Sequence, residues 1–248
     1  MITNTDRSDF AAGHPDDAAK FGSLVSGVRP GWEMVAHDVT LSEFPEDLSA
    51  FQGIIIGGSP ASVHDDRPWI APLLSLIRAA LARDVPLFGA CFGHQAIALA
   101  LGGAVGANPG GWSLGSVSTE VVRPQPWIPG DAATIRLHAA HKEQVTRLPD
   151  GAGAWGRTPG CPAAGFVIGG HVFTTQYHPE ITAGFMAALL DEMAAQDAAP
   201  AADLDRGRQS LEAPAENARF AEWIAGFFER AEGGSSGRVQ SNASRTGT

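Results

Sequence analysis

The chain has 248 residues, 44% of them hydrophobic and 18% charged, with a formal net charge of −10 at pH 7. This length and composition fit one globular α/β domain better than two. The acidic balance argues against a nucleic-acid partner, since phosphate binding needs clustered lysine and arginine. No run of about 18 apolar residues predicts a membrane span, and the polar N-terminal segment does not resemble a signal peptide.

Cysteine usage bounds the compartment and the chemistry. The chain has two cysteines, Cys91 and Cys161. So few cysteines in a chain of this length do not suggest a disulfide framework, and neither has the spacing of zinc ligands. We therefore expect a reducing, cytoplasmic location, with no metal and no cofactor.

The first half of the chain predicts strands and helices in alternation. Only Met1 to Asn4 precede the polar N-terminal residues. The opening strand of the sheet is therefore expected to be missing or shortened, as it would be if the native start lay upstream. Beyond it, apolar runs and helical spacing predict these elements in order: a strand at Gly53–Ile56, a helix at Trp69–Ala82, a strand at Val85–Gly89, and a helix from Cys91 to Gly102.

The second half is less regular. Gly, Pro and Trp are frequent from Pro109 to Thr134, which favours loops and short strands. The later elements are predicted as a β-hairpin of Phe166–Ile168 and His171–Tyr177, a helix after Glu180, a short helix or linker at Ala198–Asp205, and an amphipathic helix at Asn217–Arg230 whose aromatic face packs in the core. Together they predict a three-layer α/β fold, with a mostly parallel central sheet and helices on both faces. Residues 1–231 are expected to form one domain, and residues 232–248, rich in Gly and Ser, a disordered tail.

The strongest local signal is Gly89-Ala90-Cys91-Phe92-Gly93, between an apolar strand and a helix. The form G-x-C-x-G is that of a nucleophile elbow with cysteine in the place of serine. The sharp turn requires residues without bulk two positions before and after the nucleophile, and the N-terminus of the helix favours the thiolate. A buried structural cysteine is the alternative interpretation. Cys161 lies in a turn-like segment with no base nearby in sequence, and is expected to be a bystander.

A cysteine nucleophile needs a base, and the base needs an orienting group. His178 follows an apolar strand, and Pro179 fixes the backbone between it and Glu180. A carboxylate two residues beyond the imidazole can bind one ring nitrogen while the other faces the thiol, so His178 and Glu180 are predicted to complete a triad with Cys91. Three other histidines are given structural roles: His94 in helix packing or in support of the site, and His138 and His141 as partly buried residues of a loop.

Acyl transfer also needs hydrogen-bond donors where negative charge develops. The backbone N–H of Phe92, after the nucleophile, is one candidate. A second is expected from Gly57-Gly58, where glycine lets the backbone approach a ligand, although these residues could simply end the strand. Gln95, one helical turn past Cys91, could bind a substrate amide or carboxylate, or could be a surface residue.

These pieces together resemble the class I glutamine amidotransferases, the triad type found in the glutaminase part of GMP synthase. The matching segments, in the family's order between Phe51 and Glu180, are GIIIGGSPASVHDD, VPLFGACFGHQAIALALGG, HAAHKEQVTRLPDGA and FTTQYHPE. The resemblance implies a flavodoxin-like fold, in which Cys91 attacks the γ-amide of glutamine. It further implies His178 as base and acid, Glu180 as its orienting group, oxyanion donors at Gly58 and Phe92, and glutamine contacts from Gly57, Gln95 and His141.

The resemblance is greatest to stand-alone relatives of the type 1, or GMP-synthase-like, kind. His141 matches the histidine of a loop over the glutamine pocket, with Glu143 in place of the acidic residue that usually follows. The residue after the cysteine is more often leucine in the family, and here it is Phe92, which leaves the shape of the pocket open. No G-x-x-x-x-G-K-[ST] loop for ATP is present in the sequence. Ammonia would therefore go to water or to a synthetase partner acting in trans, or another amine would leave in its place.

Three functions follow from these observations. The first is a glutaminase or stand-alone amidotransferase. The second is a hydrolase of other γ-glutamyl amides, which would use the same triad with a roomier leaving-group pocket. The third is a non-enzymatic regulator with the same fold, although a binding module has no need of a complete triad. A chaperone or peptidase of the broader cysteine-elbow superfamily fits less well, since its members usually have histidine where Phe92 stands.

Overall fold

The computed structural model describes residues 1–3 and 8–242, with side chains described as far as residue 231. The helices are α1 (Asp9–Ala12), α2 (Asp17–Ser26), α3 (Ile70–Ala82), α4 (Phe92–Ala100), α5 (Ala183–Ala195), α6 (Ala201–Ser210) and α7 (Asn217–Asn242). The strands are β1 (Ile2–Thr3), β2 (His37–Asp38), β3 (Ile54–Ile56), β4 (Leu87–Ala90), β5 (Ala104–Ala107), β6 (Ser113–Val121), β7 (Thr134–His141), β8 (Glu143–Arg147), β9 (Gly153–Arg157), β10 (Gly165–Ile168) and β11 (Val172–Thr175).

A nine-stranded sheet forms the centre of the fold, in the order β2-β1-β3-β4-β11-β10-β9-β6-β7. The strands from β2 to β11 in this order are parallel to their neighbours. From β11 onward the pairing is antiparallel, and β5 and β8 form a separate two-stranded sheet. The predicted hairpin is present as β10 and β11. The short, buried apolar strands in the sequence predicted a parallel sheet, and they form the parallel part of this one.

Alternate residues of the parallel strands face two separate hydrophobic clusters, which makes the molecule three-layered. Ile55 and Phe88 pack with α2 and α7 on one face. Ile54 and Leu87 pack with α3 and α4 on the other face. This alternation follows from the two-residue period of a β-strand. The predicted α/β architecture, with helices on both faces, is therefore confirmed.

The aromatic face of α7 packs in the core, as predicted. Phe220 and Phe227 are fully buried, and both contact the ring of Phe173 on β11. The helix continues to Asn242, beyond the end predicted at Arg230. Of the predicted disordered tail, residues 232–242 belong to this helix with their side chains not described, and residues 243–248 lie outside the described part of the chain. Its disorder stays a prediction.

The segment between Pro109 and Thr134 differs from the sequence prediction. In place of loops and short strands it contains β6, which has nine residues and pairs with β7 along most of its length. Gly115, inside this strand, has a φ of +88°, and a Cβ there would lie 2.4 Å from the carbonyl oxygen of Gly207. Gly115, one of the glycines that suggested loops, therefore serves the close packing of α6 against β6. That helix also resolves the alternatives at Ala198–Asp205 in favour of a helix.

At the other edge, β1 has two residues and lies between β2 and β3, parallel to both. The expected first strand is thus present in short form among the described residues, and residues 4–7 lie outside them. Within the described helices, none is long and apolar enough to cross a membrane.

Candidate active site

Three parallel strands end at the same edge of the sheet, and each leads into a predicted site segment. In register, Ile56 of β3 lies beside Gly89 of β4, and Ala90 of β4 lies beside Thr175 of β11. The residues after these strands are Gly57-Gly58, Cys91 and Gln176-Tyr177-His178. Ligands of open α/β sheets bind at the carboxyl ends of the strands, so this edge is the expected position of a site.

Cys91 occupies a strained turn between β4 and α4. Its φ is +48° and its ψ is −103°, a backbone conformation that costs energy for any residue with a side chain. The flanking glycines are sterically required. A Cβ at Gly93 would lie 2.1 Å from the carbonyl oxygen of Ile56, and one at Gly89 would lie 2.7 Å from the carbonyl carbon of Gly93. The predicted nucleophile elbow is therefore present in its geometry as well as in its sequence.

Backbone hydrogen bonds join the elbow to the base. The N–H of Cys91 donates to the carbonyl oxygen of Thr175 at 2.9 Å, which fixes the elbow to the end of β11. Three residues after the end of β11, the N–H of His178 donates to the carbonyl oxygen of His138 at 2.8 Å. His178 is thus held between the elbow and β7. Backbone pairing, more than any side chain, sets its position relative to the sulfur.

The predicted base and its orienting group are in contact. Nδ1 of His178 is 2.7 Å from Oε1 of Glu180, and both side chains are buried. Burial by itself would lower the pKa of His178, but the negative charge of the Cys91 sulfur and then that of Glu180 outweigh it and hold this pKa well above the ordinary value. These two neighbours therefore favour the imidazolium form of His178.

Asp17 and Lys20 of α2 form a second charged pair near the triad. Nζ of Lys20 is 3.2 Å from Oδ1 of Asp17. Burial raises the pKa of Asp17, the contact with Lys20 opposes this, and the nearby charge of Glu180 raises the pKa further. Lys20 thus compensates a carboxylate that stands close to Glu180. The sequence gives no signal for this pair, because Asp17 lies 74 residues before Cys91 and 161 residues before His178.

The two predicted oxyanion donors come from the residue after Cys91 and from the segment after β3. Phe92 is the first residue of α4, where a backbone N–H has no acceptor within its own helix. Gly58 packs directly against His178 and Cys91: a Cβ at position 58 would lie 2.8 Å from Cε1 of His178 and 3.8 Å from Cβ of Cys91. Glycine is therefore needed at position 58 for space, which is more than the strand-ending role considered as its alternative.

Gly57 has a different role from Gly58. Its N–H donates to the carbonyl oxygen of Ile2 at 3.3 Å, and its carbonyl oxygen accepts from the N–H of Gly93 at 3.1 Å. These bonds tie the end of β3 to β1 and to the elbow. A contact between Gly57 and a substrate, as predicted, could use only the second lone pair of that carbonyl.

Gln95 is buried, so its alternative role as a surface residue is wrong. Its Nε2 donates to the carbonyl oxygen of Glu143 at 2.8 Å and lies 3.3 Å from Oε1 of Gln176. Both amide protons are therefore used within the protein, and Oε1 is the atom of this side chain left to bind a ligand. An oxygen acceptor can bind a substrate N–H or ammonium group and not a carboxylate, which narrows the predicted contact.

His141 is buried at the end of β7, and not in a loop as predicted. A single residue, Lys142, separates it from β8. Its Nδ1 is 3.0 Å from the carbonyl oxygen of Glu143, so Nδ1 carries the proton and Nε2 is an acceptor. Burial lowers its pKa to about 4, which keeps the ring neutral near pH 7.

His138 and His94 are also more buried than the sequence suggested. His138 lies within β7 and not in a loop, and burial followed by the charge of His178 lowers its pKa. His94 lies on α4 with Nδ1 2.8 Å from Oγ1 of Thr174, and burial lowers its pKa to about 3. The predicted packing role of His94 is thus confirmed. Burial therefore favours the neutral form of both rings.

Gln176 is the residue of this site that sequence reasoning missed. It is fully buried between Gln95 and the nucleophile, and its Nε2 is 3.8 Å from the Cys91 sulfur. Its place directly after the apolar strand, two residues before the base, was the available signal. Cys161 lies in the hydrophobic cluster that packs against α2 and α7, and burial raises the pKa of its thiol to about 12.

The chain is similar to a family of known proteins. A family model described as "Glutamine amidotransferase class-I" matches residues 28–193. A glutamine amidotransferase-like protein of Schizosaccharomyces pombe is 28% identical over 185 residues, which cover 74% of each chain. The crystal structure of a glutamine amido transferase from Methylobacillus flagellatus has a TM-score of 0.68 at 26% identity, covering 91% of this chain and 94% of that one.

Two further relatives have more specific names. Gamma-glutamyl peptidase 3 of Arabidopsis thaliana is 28% identical over 61% of this chain and 64% of its own length. The GMP synthase of Aeropyrum pernix is 32% identical over 57% of this chain and 27% of its own length. The chain therefore spans less than two thirds of the peptidase and about a quarter of the synthase.

Proposed function

Because this chain belongs to the class I glutamine amidotransferase family, we propose that Cys91, His178 and Glu180 hydrolyse the γ-amide of glutamine to glutamate and ammonia. The observation that carries the proposal is the 2.7 Å contact between His178 and Glu180, next to a cysteine in a strained strand-to-helix turn. A thiol activated by an oriented imidazole is the arrangement that acyl transfer to sulfur requires. The matched family is one of cysteine-dependent amide hydrolases, which supports the same chemistry.

The reaction proceeds in two steps. In the first, the Cys91 thiolate attacks the amide carbon while the imidazolium of His178 donates its proton to the departing nitrogen, so that ammonia leaves and a γ-glutamyl thioester forms. In the second, neutral His178 accepts a proton from water, which attacks the thioester carbon. Glutamate leaves, and thiolate and imidazolium are restored. Glu180 keeps Nδ1 of His178 protonated and stabilises the cationic form of the ring.

Negative charge on the carbonyl oxygen would be stabilised by the backbone N–H groups of Gly58 and Phe92. Such donors cost no reorganisation during the reaction, because β3 and the N-terminus of α4 hold them in place. The dipole of α4 points its positive end at the same position. This assignment uses the two predicted donors and requires no charged side chain.

The hydrogen-bonding atom that Gln95 offers to a substrate indicates which end of glutamine would bind beside it. Its remaining Oε1 and the acceptor Nε2 of His141 favour a substrate group that donates hydrogen bonds, such as the α-ammonium group. Glutamine and other γ-glutamyl compounds carry the same α-ammonium group. The family relationship and these contacts therefore fit both, and the leaving amine is what separates the two candidate functions.

The second candidate is a γ-glutamyl amide hydrolase, and the similarity to gamma-glutamyl peptidase 3 favours it. Steady-state rates with glutamine, γ-glutamyl methylamide and a γ-glutamyl dipeptide would distinguish the two. We expect glutamine to have the highest kcat/KM. A preference for the dipeptide by tenfold or more would assign the second function instead.

The third candidate function, a non-enzymatic regulator, is tested separately by covalent labelling of Cys91. An electrophilic glutamine analogue should add one γ-glutamyl-type group to Cys91, and mass spectrometry of the intact protein would detect it. Excess glutamine should slow the labelling by competition. An unlabelled Cys91 together with no hydrolysis of any γ-glutamyl compound would support the regulator.

We place the protein in the cytoplasm, because a nucleophilic thiol must stay reduced and neither cysteine is in a disulfide. The similarity to GMP synthase favours a synthetase partner that receives ammonia in trans. A partner of this kind should raise the glutaminase rate when its own acceptor substrate is bound. Co-purification from native extract followed by a glutaminase assay would test it.

A further inference from the structure

We propose that Gln176 is a positioning residue that donates a hydrogen bond to the Cys91 thiolate and links it to the substrate-contacting Gln95. This inference rests on the proposed function, since it concerns the same nucleophile. The side chain of Gln176 is fully buried, with Nε2 3.8 Å from the sulfur of Cys91 and Oε1 3.3 Å from Nε2 of Gln95.

The direction of the hydrogen bonds follows from the chain of contacts. The carbonyl oxygen of Glu143 can only accept, so the amide nitrogen of Gln95 must face it at 2.8 Å. The same nitrogen has a second proton, which faces Oε1 of Gln176. The oxygen of Gln176 is thereby turned toward Gln95, and its NH₂ group is left facing the sulfur. The two amides cannot be flipped without setting acceptor against acceptor.

A donor at this position favours the charged form of the sulfur. A buried thiolate is costly unless charges or donors surround it. His178 supplies the cation, and Gln176 adds a neutral donor without a charge that would compete with the imidazolium. The backbone of Gln176 is itself fixed, because its N–H donates to the carbonyl oxygen of Ala164 at 2.8 Å.

The link to Gln95 gives the contact a second consequence. A ligand bound to Oε1 of Gln95 restrains the same amide group whose nitrogen donates a hydrogen bond to Gln176. Substrate binding and the position of the sulfur are therefore joined through two side chains. Loss of Gln95 should act on the nucleophile as well as on substrate affinity.

The test is the pH dependence of Cys91 alkylation by iodoacetamide, in a Cys161→Ala background that leaves one cysteine. Gln176→Glu keeps the shape and the acceptor for Gln95 but replaces the donor with a carboxylate. Its alkylation midpoint should move upward by about one pH unit or more. Gln176→Met removes the donor without adding charge, and should move the midpoint upward by about half a unit to one unit. Gln95→Met should give a smaller upward shift.

Gln144 provides the matched control. It is a buried glutamine on the neighbouring β8, without a hydrogen bond to Cys91 among the described residues. Gln144→Met should leave the midpoint within about 0.2 units of the parent, even if it unfolds at a lower temperature. Apart from the carboxylate that Gln176→Glu introduces, the titratable groups of the site are the same in every variant: His178, Glu180, His138, His141, Glu143, His94 and Asp17.

Overlapping alkylation profiles for Gln176→Met, Gln144→Met and the parent would overturn the proposal. If Gln176→Glu does not fold, Gln176→Met and Gln95→Met still decide the question. Alkylation needs no substrate, so its result is independent of glutaminase activity. A shifted midpoint in a protein that hydrolyses no γ-glutamyl compound would refute the proposed function and keep Gln176, whereas an active enzyme with overlapping profiles would refute Gln176 alone.

Discussion

The two cysteines of the chain are both buried, and yet their surroundings give them opposite chemistry. Cys161 lies in a turn, where its N–H donates to Oγ1 of Thr158 at 3.0 Å and burial raises the pKa of its thiol to about 12. Cys91 lies at a helix N-terminus beside His178, whose pKa is raised by its interactions with Cys91 and Glu180. Burial makes a thiol inert unless a cation and donors are buried with it.

Replacement of each cysteine should give the largest contrast. Cys91→Ala removes the atom that forms the thioester, so glutaminase activity should fall by about 10³-fold or more. Cys161→Ala changes a buried group without a charged neighbour, and activity should stay within about twofold. Both would be measured as glutamate release at saturating glutamine. Comparable rates in the two variants would mean that Cys91 is not the nucleophile.

The elbow's glycines offer the next largest effect. In Gly93→Ala the new methyl group would meet the carbonyl oxygen of Ile56 at 2.1 Å, so α4 must move away from β3. Because backbone atoms cannot yield as a side chain does, the free energy of unfolding should fall by about 3 kcal/mol or more. Urea unfolding would measure it.

The control for this change is Gly184→Ala. Gly184 lies near the start of α5 with no atom within 4 Å of its missing Cβ. Alanine should be neutral there or stabilise by about 0.5–1 kcal/mol, through helix propensity. An equal effect of the two substitutions would show that the close contact at Gly93 is not limiting.

The same contrast explains what the sequence could predict. The elbow is local: strand, glycines, cysteine and helix follow one another within a few residues, and their spacing determines the turn. His178 and Glu180 are also local to one another. The parallel strands that bring these two segments together read as short buried apolar runs, so the core of the fold could be predicted as well.

Other features depend on contacts between distant segments, which spacing does not encode. Gly115 reads as a loop glycine, and its purpose is visible only when α6 packs against it. His141 was predicted in a loop, and the structure places it at the end of β7, separated from β8 by Lys142 alone. Gln176 is bonded to Gln95, which is far away in the sequence, so this hydrogen bond could not be inferred from either segment.

Glu180→Gln tests how much the Glu180 carboxylate contributes to the reactivity that distinguishes Cys91 from an ordinary buried cysteine. Glu180 helps to raise the pKa of His178, so the neutral amide should lower that pKa. His178 must be protonated to release ammonia, and activity is lost as pH rises through its pKa. The alkaline limb of the kcat profile should therefore move to lower pH, and kcat at pH 7.5 should fall by about 10- to 10²-fold.

Exposed Glu212 gives the control for that experiment, because Glu212→Gln makes the same chemical change far from the triad. Its pH profile should overlap with that of the wild type. An alkaline limb that does not move in Glu180→Gln would mean that another group sets the protonation of His178.

His94 gives the smallest effect, and it extends the comparison from cysteines to histidines. It is buried as His178 is, but it lacks a carboxylate partner, and its pKa is lowered to about 3. The unfolded chain binds a proton at His94 near pH 6.5, whereas the folded chain does not. Its contribution to stability is therefore complete above about pH 6.5 and is lost as pH falls toward the folded value.

Between about pH 6 and pH 4, this histidine should reduce the free energy of unfolding by up to about 1.4 kcal/mol per pH unit. His94→Gln cannot titrate, so its stability should fall less steeply with acid even if it is lower at pH 7.5. Exposed His64→Gln should keep the wild-type slope. Because His141 is also buried with a pKa lowered to about 4, part of the acid sensitivity should remain in His94→Gln and should decrease further in the double variant. Equal slopes in wild type and His94→Gln would show that the ring is protonated in the fold, and that burial without a carboxylate does not suffice to keep it neutral.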